Sequence, residues 1–115
     1  MSVRPPQILA PRRLPQAWDA LQHEVVAEKA ATLGRLATRL ETALARLEAF
    51  EAAEVGAAGA AERAALLDAA GEALWHFVIQ RELCGFRNSE EVMRAYRVPA
   101  AVRARMGIRP PSRRP

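Results

Sequence analysis

Few side chains in this chain could carry chemistry, and they do not converge. Cys84 is the only cysteine. It would serve as a nucleophile only beside a base, and an apolar helical face near a helix C-terminus disfavours the thiolate, so it reads as core. A single cysteine also rules out an intramolecular disulfide and leaves a thiolate metal site without ligands. His76 follows Glu72 by four residues, and His23 stands beside Glu24 with no second histidine at a ligand spacing. Neither pair forms the Glu-x-x-His motif of a di-iron bundle, and a hydrogen-bonded structural histidine explains His76 more simply. No nucleophile, positioned base and oxyanion donor fall together, so the expectation is a protein that is not an enzyme and needs no metal or cofactor.

The arginines are the stronger signal. Arg81 falls among Trp75, Phe77, Val78 and Ile79, where a guanidinium must find a carboxylate or carbonyl or extend out along its stem. It is a candidate anion pocket, although an internal ion pair that fixes the last helices is preferred. Farther on, SEEVMRAYRVPAAVRARMG at 89–107 has the outline of a helix, a turn and a second helix. Arg97 stands where a helix-turn-helix has glycine, Val98 is followed by Val102 one position early, and no Asn or Gln in the last helix could read adenine. A sequence-reading DNA motif is therefore a poor match. Arg87, Arg94, Arg97, Arg103 and Arg105 remain a candidate basic surface for non-specific nucleic-acid contact, which needs only positive charge near phosphates. That makes nucleic acid the alternative partner class, while a solvated arginine-rich surface is the plainer reading.

These residues must be positioned by helices, because no run alternates apolar and polar side chains in the manner of a strand. Leu33, Leu36, Leu40, Ala43, Leu47 and Phe50 recur at spacings of 3, 4, 3, 4 and 3, with Leu44 widening the stripe. That is a heptad seam. Trp18, Leu21 and Val25 lie upstream and slightly out of its phase, with Gly34 between, which predicts a bend or a drift of the packed face. Glycines in VGAAGAAE at 55–62 mark a hairpin turn, and a second helix over 60–84 carries two apolar strips, one through Leu74 and Phe77 and one through Trp75 and Ile79. Gly85 suits a left-handed helix end, Asn88 with Glu91 resembles a capping box, and Pro99 opens a last short helix that Gly107 closes.

The predicted fold is all-α: a long helical hairpin over 16–55 and 60–84, with short helices at 89–96 and 99–106 folded over the Trp75 strip. Prolines interrupt residues 1–15, and RPPSRRP closes 109–115, so both ends read as disordered tails around a single domain at 16–108. Charge follows the same division, with +3 on residues 1–15, −5 on 16–85 and +6 on 86–115. Basic blocks can point to acidic partners, yet 16 arginines against one lysine, beside 25 alanines, is also what a GC-rich genome yields. Alanine favours helix without adding much buried area, so the chain calls for a partner. No run is long enough for a membrane span and the N-terminus lacks the apolar core of a signal peptide, which implies a soluble, cytoplasmic protein.

The stretches EKAATLGRLATRLE and LWHFVIQRELCGFRNSEEVMRAYRVPAAVRARMG resemble an uncharacterised family of short bacterial helical proteins, over about residues 16–108. The resemblance implies a helical bacterial domain of unknown function and brings no activity, cofactor or site residue with it. The functional expectation is a non-enzymatic interaction or self-assembly module. A homodimer would pair through Leu33, Leu36, Leu40, Leu44, Leu47 and Phe50 into a four-helix bundle, with an unidentified protein partner as a further possibility.

Overall fold

The computed structural model describes residues 5–53 and 59–108, with side chains from residue 14 onward. All regular structure among them is helical: α1 (Pro5–Ala52), α2 (Ala60–Leu83), α3 (Ser89–Ala95) and α4 (Ala100–Arg103). Helix α1 was expected near Gln16 but begins at Pro5. The fixed φ of proline is a helical φ, and Pro5 and Pro6 occupy the first turn, where no backbone N–H is needed. The expected extended tail is thus helical from Pro5 on. Residues 1–4, the turn segment 54–58 and the tail 109–115 lie outside the described residues.

Two compact units divide the chain, one running to Ala31 and one from Thr32. In the second, the Thr32–Ala52 part of α1, α2 and the short helices share one core. Leu40 and Leu47 of α1 are buried with Leu67, Leu74, Phe77 and Val78 of α2, and Val92, Met93 and Val102 close over them. Leu33, Leu36 and Leu44 pack against this cluster and Phe50 is half-buried. The heptad seam therefore exists, but its two central leucines are used inside the chain and are not available for a dimer. A charged residue at either position would unfold the unit rather than separate subunits.

The lid departs from expectation in what it covers. Tyr96 meets the edge of Phe77, with ring centroids 5.6 Å apart at 82°. Val92, Met93 and Val102 join the Leu74 and Phe77 strip, so the short helices cover that strip first, and Trp75 stays 41% exposed with its ring against Gly107.

Helix ends follow local rules closely. Gly85 takes φ 96° while its N–H bonds to Glu82 O and that of Phe86 to Arg81 O, a Schellman end for α2. The same pattern ends α3, with Arg97 N–H to Arg94 O and Val98 N–H to Met93 O. There the left-handed residue is Arg97 itself, at φ 51°, a conformation that glycine adopts without strain. The predicted capping box is absent: the Asn88 side chain makes no cap bond, and Glu91 reaches Arg81 instead. Helix α4 is shorter than the predicted 99–106. After Arg103 the amides of Arg105 and Met106 bond three residues back, which tightens the chain toward Gly107.

Gly71 makes this closure possible. A Cβ there would stand 2.9 Å from both Cβ and the carbonyl oxygen of Arg105, whereas one at Gly34 would meet nothing within 4 Å. Both glycines sit in helices, where alanine is favoured by about 1 kcal/mol. Gly34→Ala is expected to raise unfolding stability by roughly that amount in urea titration. Gly71→Ala should lower it despite the same propensity gain, because backbone must move to admit the methyl group.

Candidate interaction surfaces

Two of the five arginines of the predicted basic surface are drawn into ion pairs. Arg103 pairs with Glu90, with one of its two bonds at 3.2 Å, and Arg105 pairs with Asp68 of α2. Arg81 lies 3.3 Å from Glu91, and its guanidinium sits 6.0 Å from the Phe77 ring centroid and 5.3 Å from that of Phe86. A half-buried cation with a carboxylate and two aromatic faces around it is an internal pair that ties α2 to α3 and the loop between them. The anion-pocket alternative for Arg81 has its position already filled by Glu91. Arg87, Arg94 and Arg97 are exposed.

The arginine at position 97 also rims an open groove of about 700 Å³ beside Glu41, Glu48, Glu51 and Tyr96. Its acidic wall makes it an unsuitable phosphate cradle. Among the described residues, no group of three or more His, Cys, Asp or Glu could hold a metal ion. Cys84 is half-buried and its sulfur is 3.9 Å from the Gln80 amide nitrogen.

The least expected surface lies on the first unit. Leu14, Trp18, Leu21 and Val25 are 66%, 61%, 54% and 47% exposed, and they follow one another at spacings of 4, 3 and 4 along α1. Four large apolar side chains on one helical stripe form a second heptad seam. The phase shift of Trp18, Leu21 and Val25 against the seam of Leu33 to Phe50 was the signal for it. Val26, 62% exposed, lies on a different side of the helix from this stripe.

Glu90 is the carboxylate most affected by its surroundings. The hydrogen bonds and charge of Arg103 hold its carboxyl below the ordinary carboxylate range, and Arg94 adds to the effect. A lowered folded pKa contributes stability above the unfolded value that is lost as pH falls through the folded one. Glu90→Gln is therefore expected to reduce the melting temperature slightly at neutral pH, as exposed pairs do, with the difference from wild type vanishing in strong acid.

Among the described residues, no helix is long and apolar enough to cross a membrane. Comparison with curated proteins and with solved structures finds no match. A family model does match, and it spans nearly the entire chain. With residues 1–114 matched, the chain belongs to a family of unknown function (DUF6665).

Proposed function

We propose that this protein is a non-enzymatic helical interaction module whose working surface is the apolar face of α1 between Leu14 and Val25. The observation that carries this reading is the exposure of Leu14, Trp18, Leu21 and Val25 on one stripe, since isolated exposed apolar residues are ordinary and a contiguous row is not. Covering what remains open on such side chains is worth roughly 1 kcal/mol apiece. That gain competes with the loss of translational and rotational freedom on association, so the contact is reversible rather than permanent. A reducing compartment such as the cytoplasm suits a chain with a single cysteine.

The rival reading, non-specific nucleic-acid binding through the C-terminal third, loses support from the same geometry. Two of its five arginines, Arg103 and Arg105, are held by Glu90 and Asp68. Their charge is met within the chain.

A photo-crosslinking amino acid placed at position 18 of the full chain, in cells that express it, tests the proposal. A discrete protein adduct is expected there, and none from the same group at Glu62, which is exposed at the start of α2. Adduct yields at position 18 no higher than at position 62 would overturn it.

A further inference from the structure

We propose that the groove between the second half of α1 and the α3–α4 corner docks a basic segment of a partner protein held in the polyproline II conformation. The proposal is independent of the Leu14 to Val25 face and concerns the compact unit that begins at Thr32. The groove measures about 700 Å³ and has an apolar floor of Leu44, Ala45, Tyr96 and Pro99. Glu41 and Glu48 stand on its α1 wall, both exposed. Every residue three or four places from either of them along the helix is Ala, Leu, Thr or Glu, so the helix itself offers no cation where side chains would meet. Among the described residues neither carboxylate forms an ion pair, whereas Glu51 farther along the same wall already holds Arg63 at 2.7 Å. Two unpaired carboxylates beside an apolar floor are complementary to a cationic segment with an apolar body.

Spacing selects the conformation of that segment. Positions 41 and 48 lie nearly in line on α1, about 10 Å apart along its axis. A polyproline II segment has three residues per turn and rises about 3 Å for each, so cationic side chains at i and i+3 share one face about 9 Å apart. In a strand the same two would point to opposite faces. Tyr96 is half-buried and braced by its edge contact with Phe77, which makes it a fixed aromatic surface of the kind prolines pack against. Arg97 stands on the opposite rim, exposed and without an ion pair among the described residues. It holds φ 51°, a turn that glycine would make without strain, so an arginine there calls for a use of its side chain. A polyproline II backbone leaves its carbonyls unpaired, and the guanidinium can donate to them. A helical segment with cations at i and i+7 would repeat the spacing, but its carbonyls are already bonded to its own amides and its backbone would offer Arg97 no acceptor.

The test titrates the full chain into a fluorescein-labelled peptide of three Arg-Pro-Pro repeats and follows anisotropy. Saturable binding is expected, and Glu41→Gln combined with Glu48→Gln should weaken it about tenfold, as the loss of two partly exposed ion pairs would. Arg97→Gly, which keeps the turn, should weaken it as well, while Glu62→Gln at an exposed position of α2 should not. A peptide of the same composition with its arginines adjacent should bind more weakly than the repeat. Absence of binding, equal binding of the two peptides, or binding that the Glu41 and Glu48 changes leave intact would overturn the proposal. So would a repeat peptide that binds only after Arg109→Ser, Arg113→Ser and Arg114→Ser, because the occupant would then be the chain's own end at 109–115 and not a partner.

Discussion

The mismatch in length between α1 and α2 governs what this chain can and cannot satisfy by itself. Helix α1 has 48 residues and α2 has 24, so α2 can cover only part of its partner's apolar face. It covers the stretch around Leu40 and Leu47, which are 0% and 2% exposed. The row from Leu14 to Val25 belongs to a different compact unit, and three of its four large side chains are more than half exposed. One helix therefore carries two seams with different fates.

Stability follows from that division. Leu40, Leu47 and Leu74, with Val92 and Val102, are fully enclosed, and the close approach at Gly71 presses the last turn of the chain against α2. Ion pairs fasten the lid at separate points: Arg81 with Glu91, Arg103 with Glu90 and Arg105 with Asp68. Most of these are partly exposed and individually weak, so their value is in fixing where the short helices sit rather than in holding the core together. Residues 14–31 have no such cover. Helix with few buried contacts opens locally at low cost, and a surface that orders on binding is drawn from that end of the stability range.

Much of the architecture was legible from residue spacing alone. The period of 3 and 4 from Leu33 to Phe50 fixed the face of α1 that α2 covers, and Gly85 announced the end of α2, because both features act through local geometry. Side-chain destinations were harder to read. Asn88 and Glu91 have the types and spacing of a capping box, yet the long-range attraction of Arg81 took Glu91 away from Asn88. Arg97 holds a left-handed turn that composition assigns to glycine, because the core contacts of Val98 and Tyr96 on either side fix the chain there. The seam from Leu33 to Phe50 looked suited to a dimer since nothing in a sequence says whether a heptad stripe meets another chain or the next helix. Leu40 and Leu47 are enclosed by the chain itself, whereas the stripe beginning at Leu14 is exposed.

Hydrogen exchange addresses the central claim most directly, since it compares the two seams of α1 in one experiment. The account predicts that amides of residues 14–28 exchange fast in the isolated chain, while those around Leu40, Leu47 and Leu74 are the slowest to exchange. Exchange over 14–28 as slow as that around Leu40 and Leu47 would contradict it.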